Sequence, residues 1–461
     1  MNLKDLKNKK IALLGLGMEN YALLKYLLKH RVKGEITICD ARVGVMRASP
    51  LRKYKNIHWQ LGKNFKDGLE KFDILFRSPG WPIDCPSIVG AMRASPVPIL
   101  SSLIRLFFDL CPTKNIIGVT GTKGKGTTAS LIYQILKEAG KRVWLGGNIG
   151  VAPFEFIDKI KKNDWVVLEL SSFQLEDMTV SPQIAVITNF YPEHLAAADP
   201  NNPNYHKSLK EYWQAKVNIL RWQKKDDWAI INSNLKSPSC QSTRLLSKLA
   251  SGQVELAGGQ ISKLQLKSQK LFFNKSNLKS KLVGEHNKEN IAAAVAVARV
   301  AGVKDSVIKK AVANFQGLEH RLELVRTVRG VKYYNDSFAT TPEATITAIK
   351  SFKQPIILLL GGAEKKSDFK KLAKEVKNRV KFTILLAGTA TFRIKRELLA
   401  INFPTNKMKL VHRLREAIKQ AQMNSVAGDI VMLSTACASF GMFKNYKARG
   451  DLFKQQVKKL K

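Results

Sequence analysis

The sequence predicts an α/β protein of three domains, each built around a parallel β-sheet. The chain has 461 residues, which is more than a single ordinary hydrophobic core accommodates. Short apolar runs rich in β-branched residues alternate with amphipathic stretches of helical periodicity along its length. Several of these runs end in glycines, hydroxyls or charged side chains, as strands do where parallel sheets bind ligands.

The composition is ordinary for a globular protein, with 45% hydrophobic and 25% charged residues. The longest apolar runs, such as 356–360, are far too short to span a bilayer, and the N-terminus carries no apolar segment of signal-peptide length. The five cysteines are scattered without C-x-x-C spacing, which argues for reduced thiols and against a disulfide framework or a zinc site. We therefore expect a cytoplasmic protein with no membrane partner.

The charge is unusual, because 77 Lys and Arg residues against 36 Asp and Glu residues give a net charge of +41. Such an excess is compatible with a basic nucleic-acid-binding ATPase, which stays open as an alternative. The cations are spread along the chain and accompany no recognisable nucleic-acid motif. We therefore favour attraction for small polyanionic substrates, or a basic proteome, over a specific nucleic-acid partner.

The first predicted domain spans 1–112 and begins with a buried strand, a turn at Gly15 and Gly17, and an amphipathic helix. The next strand ends at Asp40, and a further strand over 72–82 ends in a Ser-Pro-Gly turn. A strand, a G-x-G turn and an acidic residue are elements of a dinucleotide fingerprint, but its third glycine is missing. These features therefore predict that a nucleotide binds at the end of the first strand, but they are weak evidence that this nucleotide is NAD.

The second predicted domain contains the stretch G-V-T-G-T-K-G-K-G-T-T from Gly118 to Thr128. A strand-like run precedes it and a helical run follows, which is the geometry of a phosphate cradle with Lys125 at the terminal phosphates. It departs from the standard P-loop, because Gly126 stands where a hydroxyl is usual. Either Thr127 or Thr128 must then supply a magnesium-binding oxygen.

The second predicted domain spans 113–317. Two further strands are predicted within it, one over 164–176 and one over 183–190. Glu169 lies in the first of these buried-looking runs, where a magnesium ion beside bound phosphates would offset the cost of burying a carboxylate. His194 follows the second run, and in isolation it is more often a loop or core histidine than a ligand. A helix is predicted to begin within 284–298; its two asparagines, Asn287 and Asn290, are either helix caps or purine contacts.

The third predicted domain spans 318–461 and has the same alternation of strands and helices. Its strands end in glycines, hydroxyls, a lysine or an aspartate, which predicts a second Rossmann-like sheet with ligand groups at its carboxyl edge. These strands lie within 331–345, 356–366, 381–388 and 429–440.

Ten short motifs occur in one order across the second and third predicted domains: T-G-T-K-G-K-G-T-T, G-G-N-I-G, L-E-L-S-S-F-Q-L-E, N-F-Y-P-E-H-L, Y-W-Q-A-K, G-E-H-N-K-E-N, E-H-R-L-E, N-D-S-F-A-T, L-L-G-G and A-C-A-S-F. With them the chain resembles the Mur ligases, ATP-dependent amide-forming enzymes of peptidoglycan synthesis, over essentially its whole length. The resemblance implies a Rossmann-like UDP-binding domain, a central P-loop ATPase-type domain and a C-terminal Rossmann-like domain. It also implies that ATP drives ligation of glutamate to UDP-N-acetylmuramoyl-L-alanine through an acyl phosphate, by an enzyme expected to be a monomer.

The resemblance also assigns roles to residues of this chain. It implies two magnesium ions, and catalytic roles for Lys125, His194 and Lys216, the last as a carbamylated lysine. Metal ligation falls to Thr127, Glu169, His194 and Lys216. ATP contacts fall to Gly121, Thr122, Lys123, Gly124, Lys125, Gly126, Thr127, Thr128, Asn287, Asn290, Arg321 and Asp336. The uridine nucleotide falls to Gly17, Asp40, Arg42 and Ser78, the substrate channel to Asn148 and Ser171, and the incoming glutamate to Thr340, Lys365, Ser439 and Tyr446.

Two departures from the family pattern leave alternatives open. Gly126 replaces the usual hydroxyl residue, as in the folylpolyglutamate synthases, but those enzymes begin close to their cradle, whereas about 110 residues precede it here. Phe338 stands where a lysine is usual beside the amino-acid site, so ligation of L-glutamate is an alternative to D-glutamate. An inactive relative is disfavoured, because the lysines, the histidine and the glutamate of the implied centre are all retained.

Overall fold

The computed structural model describes residues 1–44, 54–196, 204–235, 266–364 and 367–461. The chain forms two compact units, Met1–Leu278 with Lys288–Val312, and Lys279–Asn287 with Ala313–Lys461. The first unit holds the N-terminal and central sheets, and the second holds the C-terminal sheet. The prediction of an α/β protein with N-terminal, central and C-terminal domains built on parallel sheets is confirmed, although the C-terminal sheet also contains one antiparallel pair of strands.

The N-terminal sheet has five parallel strands in the order β3-β2-β1-β4-β5, which is the Rossmann order 3-2-1-4-5-6 without its sixth strand. The order reverses beside β1, so the turn after β1 lies where such sheets bind nucleotides. The strands are β1 Lys10–Leu14, β2 Glu35–Asp40, β3 Ile57–Leu61, β4 Ile74–Arg77 and β5 Ile99–Ser102, and the helices are α1 Met18–Lys29, α2 Pro86–Ala91 and α3 Leu103–Leu110.

The central sheet has six parallel strands in the order β11-β10-β9-β6-β8-β7. Its strands are β6 Ile116–Thr120, β7 Val143–Gly147, β8 Trp165–Glu169, β9 Ile184–Ile187, β10 Trp228–Asn232 and β11 Gln269–Phe273. The helices that follow them are α4 Lys125–Glu138, α5 Ser172–Leu175, α6 Leu209–Arg221, α7 His286–Val300 and α8 Asp305–Asn314. The phosphate-cradle strand, β6, is thus central, and β8 and β9 flank it.

The predicted strand over 164–176 is wrong beyond Glu169, where β8 ends. Ser171 has extended backbone angles, and its side chain accepts a hydrogen bond from the Gln174 amide. The Gln174 side chain accepts one from the Ser171 amide in return, which completes a capping box. This local pairing starts α5 within two residues of the strand, although the segment is apolar enough to read as strand.

The C-terminal sheet has six strands in the order β12-β13-β17-β14-β15-β16. All neighbours are parallel except β12 and β13, which form a hairpin. The strands are β12 Glu323–Val328, β13 Val331–Asn335, β14 Ile356–Leu360, β15 Val380–Leu386, β16 Met408–Val411 and β17 Ile430–Leu433. The helices are α9 Pro342–Lys350, α10 Lys370–Arg379, α11 Thr391–Ala400, α12 Leu414–Asn424 and α13 Tyr446–Lys458.

Apolar packing joins the first two sheets within the first unit. One buried cluster includes side chains of β1, α1, β8 and α6. Tyr26 of α1 packs edge-on against Phe154 with ring centroids 4.7 Å apart. Across the described ranges, no helix is both long and apolar enough to cross a bilayer.

Candidate active site

The cradle is the turn between β6 and α4, and two of its glycines cannot be replaced without displacing neighbours. Gly121 has φ +144° and Gly124 has φ +80°, and such positive values are uncommon for other residues. A Cβ atom on Gly121 would overlap the Thr188 hydroxyl, and one on Gly124 would overlap the Asn290 side chain. The backbone therefore lies directly against β9 and α7, and α4 begins with its amide groups at the turn.

Residues after β9 hold the cradle in place. The Asn189 side chain accepts from the Lys123 amide at 2.7 Å and donates to the Lys123 carbonyl at 2.9 Å. Thr188 donates to the same carbonyl at 2.8 Å, and the Tyr191 amide donates to the Thr122 hydroxyl at 3.0 Å. Asn189 opens the N-F-Y-P-E-H-L motif but was not among the predicted site residues. These contacts fix the cradle before any ligand binds.

The first turn of α4 carries the side chains assigned to the phosphates. Lys125 Nζ donates to the carbonyls of Gly121 at 3.0 Å and Thr122 at 3.1 Å, so the ammonium folds back over its own turn. Thr128 is fully buried and its hydroxyl lies 3.4 Å from Asn290 Oδ1, whereas Thr127 is only half-buried. Of the two predicted hydroxyls, Thr127 has the more accessible position, while Thr128 packs inward.

Lys216 of α6 is almost completely buried, with 2% of its surface exposed. Its Nζ donates to the Gly121 carbonyl at 2.7 Å and lies 4.6 Å from the centre of the Tyr212 ring. The Lys125 ammonium donates to that same carbonyl, so two cationic groups converge on one oxygen. Burial, and then the charge of Lys125, lower the pKa of Lys216 well below its ordinary value.

Glu169 ends β8 and is 4% exposed. Its Oε1 accepts a hydrogen bond from Asn148 Nδ2 at 3.0 Å, but its buried Oε2 has no partner among the described residues. A buried carboxylate oxygen without a partner is costly, and a divalent cation would satisfy it. Within the described part of the chain, no three His, Cys, Asp or Glu side chains cluster closely enough to hold a metal alone. The donors fit a magnesium ion that takes its remaining oxygen ligands from phosphate and water.

His194 lies in the loop after β9, with a left-handed backbone at φ +59° and 43% of its side chain exposed. Its ring stands edge-on to Phe173 at 5.3 Å and to Tyr212 at 5.7 Å. Loss of hydration lowers its pKa, Glu193 opposes this, and nearby lysines, Lys216 foremost, add to the lowering. The neutral imidazole is therefore favoured, which is the form that binds metals.

Beside Ser171, a cluster of buried polar groups links the first two sheets. Arg77, at the end of β4, donates to Asp177 Oδ2 through Nε at 3.0 Å and Nη2 at 2.9 Å. It also donates to the Phe173 carbonyl at 2.9 Å, while Gln174 donates to Glu19 of α1. This cluster was not predicted, and its only signal in the sequence is an arginine at the end of a buried strand.

His206 is a second residue that the sequence analysis missed. It stacks on Phe173, with ring centroids 4.7 Å apart and 8° between the planes, and lies 2.9 Å from the Ser172 hydroxyl. Burial lowers its pKa to about 4, and the neighbouring His194 and Lys216 add to the lowering. His206 is therefore a neutral packing partner of α5.

The residues predicted for the uridine nucleotide meet at the carboxyl edge of the N-terminal sheet. Asp40 accepts from the Leu16 amide at 2.8 Å and from Arg42 Nε at 3.0 Å. Burial tends to raise the pKa of Asp40, but the hydrogen bonds from Arg42 and the Leu16 amide lower it overall. Gly17 begins α1 as its exposed N-cap residue, and Ser78 packs against the same turn. The exposed guanidinium of Arg42 is the cation that this edge offers to a ligand.

In the second unit, the predicted residues lie at the ends of β13 and β17. Asp336 is buried and accepts from Ser434 Oγ at 2.7 Å and from the Leu322 amide at 3.1 Å. Burial raises its pKa to about 7 despite these hydrogen bonds. Ser337 Oγ donates to the Tyr446 carbonyl at 2.8 Å, and the Ala436 amide donates to the Ala339 carbonyl at 3.1 Å.

These contacts bring the segments that carry Thr340, Ser439 and Tyr446 together. Arg321 lies against Phe338 of the same edge. Asn287 is the second residue of α7 rather than its cap, and its side chain donates to the Val283 carbonyl at 2.7 Å. Lys365 lies outside the described residues.

Comparison with protein families matches three domain models in the order of the three sheets. They are a Mur ligase MurD-like N-terminal domain at 9–100, a Mur ligase middle domain at 119–298, and a Mur ligase glutamate ligase domain at 320–437. A curated relative from Acetivibrio thermocellus, named UDP-N-acetylmuramoylalanine--D-glutamate ligase, is 40% identical over 98% of this chain and 97% of its own length.

Two solved structures share the fold. The UDP-N-acetylmuramate-alanine ligase MurC from Thermotoga maritima has a TM-score of 0.55 and 18% identity, covering 98% of this chain and 99% of its own. A bifunctional folylpolyglutamate synthase/dihydrofolate synthase from Yersinia pestis, complexed with AMPPNP and Mn ion, has a TM-score of 0.51 and 17% identity, covering 77% of this chain and 92% of its own. Because the three domain models and a full-length relative at 40% identity agree, the chain belongs to the Mur ligase family.

Proposed function

We propose that the chain catalyses the ATP-dependent ligation of glutamate to UDP-N-acetylmuramoyl-L-alanine, a step of peptidoglycan synthesis. The observation that carries the proposal is the convergence of Lys125 and Lys216 on the Gly121 carbonyl, near the Glu169 carboxylate, whose Oε2 has no partner among the described residues. Full-length relatives bearing the name of this ligase support the choice of substrates. The folylpolyglutamate synthase alternative is disfavoured, since the example compared leaves almost a quarter of this chain unmatched.

A carboxylate is a poor acyl donor, so the substrate carboxylate must first attack the γ-phosphorus of ATP. The bond from phosphorus to the bridging β,γ-oxygen breaks, ADP leaves, and an acyl phosphate forms. The amine of glutamate then attacks the acyl carbon, inorganic phosphate departs, and the nitrogen loses a proton. Such chemistry depends mainly on positioning and on neutralising the charge of the transferring phosphoryl group.

The cradle meets this requirement with its own groups. Its backbone amides and the N-terminus of α4 would surround the phosphates, and Lys125 would leave its carbonyl partners for the β- and γ-phosphate oxygens. Lys123, Asn290 and the remaining assigned cradle residues would line the same nucleotide. Arg321 and Asp336 are assigned to ATP as well.

Lys216 is assigned as a carbamylated residue, and its environment favours that chemistry. Only a neutral amine attacks CO2, and burial together with Lys125 favours the neutral amine of Lys216. Attack forms an N–C bond, the amine loses a proton, and the product is a carbamate anion. Carbamylation turns the neutral amine into an anion, which attracts the Lys125 ammonium and supplies an oxygen ligand.

Magnesium is the implied metal, and it would neutralise charge on the phosphoryl oxygens. Thr127 and Glu169 would hold one ion, while His194 and the carbamate of Lys216 would hold the second. Two observations support these assignments: Glu169 Oε2 is buried and has no partner among the described residues, and the neutral form of His194 is favoured.

The remaining assignments follow the three sheets. We propose domains at 1–112, 113–317 and 318–461. The first domain would bind the uridine nucleotide, and the third would bind glutamate. Asn148 and Ser171 are assigned to the substrate channel, and both lie next to Glu169 in the central sheet. The proposal describes a monomeric enzyme that works in the cytoplasm, where ATP is available.

The decisive assay is ADP release from ATP with UDP-N-acetylmuramoyl-L-alanine against a panel of amino acids containing D-glutamate and L-glutamate, with the product weighed by mass spectrometry. We expect ADP and a product heavier by one glutamate residue, with D-glutamate preferred. A preference for L-glutamate would correct the amino acid alone. ADP release that responds to DNA or RNA and not to these substrates would reject the ligase.

A further inference from the structure

Phe338 lies in a three-part stack in the second unit. The guanidinium carbon of Arg321 is 3.7 Å from the centre of the Phe338 ring. On another side, the same ring meets Tyr446 edge-on, with centroids 5.1 Å apart and an interplanar angle of 89°. Phe338 is nevertheless 39% exposed. A large exposed aromatic ring that contacts a cation and a second ring at these distances serves those contacts more than the core.

The backbone beneath the stack is fixed on the Arg321 side. The Phe338 amide donates to the His320 carbonyl at 3.0 Å, which ties the two segments together next to Arg321. His320 and Leu322 both have left-handed backbone angles, at φ +64° and +44°, so Arg321 lies between two uncommon conformations. Such conformations persist where the surroundings hold them and are concentrated at functional sites.

The backbone is equally fixed on the Tyr446 side. The buried Arg449 donates to Ser337 Oγ at 2.9 Å and to the Ser337 carbonyl at 2.8 Å. Ser337 in turn donates to the Tyr446 carbonyl at 2.8 Å. The residue before Phe338 is therefore anchored, while the ring itself is at the surface.

We propose that Phe338 is a positioning residue that holds Arg321 and Tyr446 in one stack, so that the phosphate-binding and amino-acid-binding groups of this edge are ordered together. The proposal rests on the proposed function, which assigns Arg321 to ATP and Tyr446 to glutamate. A guanidinium that stacks by its face on an aromatic ring has its plane, and so the directions of its N–H groups, set by that ring. Removing the ring would release both neighbours at once.

The test compares Phe338→Leu with Phe338→Tyr in the full-length protein. Leucine keeps an apolar side chain but has no π-face, whereas tyrosine keeps the ring. We expect Phe338→Leu to raise the KM for ATP and the KM for glutamate by about three- to fivefold each. The KM for UDP-N-acetylmuramoyl-L-alanine should stay unchanged, and Phe338→Tyr should restore all three constants. Phe392→Ala, which removes a phenylalanine that is 82% exposed on the same unit, is the matched control.

Two results would overturn the positioning role. One is a Phe338→Leu enzyme with wild-type KM values for both ATP and glutamate. The other is a uniform loss of activity that follows the folded fraction and leaves every KM unchanged. ATP affinity measured by calorimetry separates this proposal from the proposed function, because it does not depend on formation of a glutamate product. If the wild type forms no such product, weaker ATP binding by Phe338→Leu and not by Phe392→Ala still supports the stack. If Phe338→Leu binds ATP as tightly as the wild type does, the positioning role is rejected.

Discussion

Two buried cations in the first unit, Arg77 and Lys216, have opposite surroundings. Arg77 is 1% exposed and forms ion pairs with Glu176 at 2.8 Å and Asp177 at 2.9 Å. Lys216 is 2% exposed, and in the described part of the chain no carboxylate lies within ion-pair distance of it. Its hydrogen-bond acceptor is the Gly121 carbonyl, which it shares with another ammonium group.

The contrast separates a structural charge from a chemical one. A buried charge persists when opposite charges and hydrogen bonds surround it, and otherwise the group tends to neutralise itself. Arg77 is paired with two carboxylates and helps to join two sheets. The lysine region is unbalanced, so its amine is pushed toward the neutral, nucleophilic form. The difference in their partners, and not in their burial, is the reason why Lys216 and not Arg77 is the cation of the proposed chemistry.

The largest expected effect is on catalysis at Lys216. Lys216→Ala should lower the rate of ligation by about 1000-fold or more, because the proposed carbamate ligand of the magnesium ion at the transferring phosphoryl group would be lost. Stability to urea should be unchanged or higher, since an unbalanced buried amine is removed. Added formate or acetate should restore part of the activity. Lys210→Ala, at an exposed position on the same helix, is the control. Near-wild-type turnover by Lys216→Ala would contradict the catalytic role proposed for Lys216.

The opposite outcome is expected at Arg77. Arg77→Met should lower the free energy of unfolding by about 3 to 5 kcal/mol, because it leaves buried carboxylates without their counter-charge. Equilibrium urea unfolding at neutral pH measures this loss. The exposed Arg396, changed to alanine, should cost far less, since its side chain is 68% exposed. A loss below about 1 kcal/mol for Arg77→Met would mean that the arginine does not balance the cluster.

A smaller effect is expected from Glu19 and Glu176 of the same cluster, which should make the free energy of unfolding depend on pH. Burial raises the pKa of Glu19 and of Glu176 from 4.5 to about 7, because the opposing contributions of Gln174 and Arg77 are smaller. Each carboxyl therefore binds its proton more tightly in the folded state. The associated stability is fully present below pH 4.5 and is lost as the pH rises through 7.

Glu19→Gln isolates one of these acids. It should be about as stable as the wild type near pH 4.5 and should gain relative to it by about 2 to 3 kcal/mol at pH 8. Urea unfolding at four pH values between these limits gives the curve. Parallel curves for the two proteins would show that Glu19 does not titrate in this range.

The smallest effect is expected at the exposed edge of the cradle. Lys123 pairs with Glu193, and their side chains are 56% and 33% exposed. Lys123→Met should change the free energy of unfolding by less than about 1 kcal/mol, since solvent screens the pair. Its KM for ATP should rise only about two- to fivefold. A loss of activity comparable with that of Lys216→Ala would erase the distinction between exposed and buried cations.

The sheets could be predicted from the sequence because their strands are short buried runs. The cradle strand and the strand over 356–360 were located within a few residues. The helix over 172–175 was missed, since its start depends on the reciprocal Ser171–Gln174 pairing and not on apolar periodicity. Local side-chain geometry of this kind is poorly visible in composition.

The site could be predicted only in part. Motifs located the cradle and Glu169, but Lys216 was singled out by family resemblance alone. Its burial had a signal in the sequence, because Tyr212, Lys216 and Ile219 follow the spacing of one helix face, and the other two are apolar. The convergence of Lys216 and Lys125 on Gly121 depends on tertiary packing of two helices, which spacing does not reveal.

The most direct test of the central claim is carbon-13 NMR of the protein equilibrated with ¹³C-bicarbonate. The account predicts one carbamate carbonyl signal in the wild type and in Lys210→Ala, which is absent from Lys216→Ala. If the spectra of the wild type and Lys216→Ala are identical, and the carbamate signal is missing at every pH where the enzyme is active, the assignment of Lys216 as the carbamylated residue is contradicted.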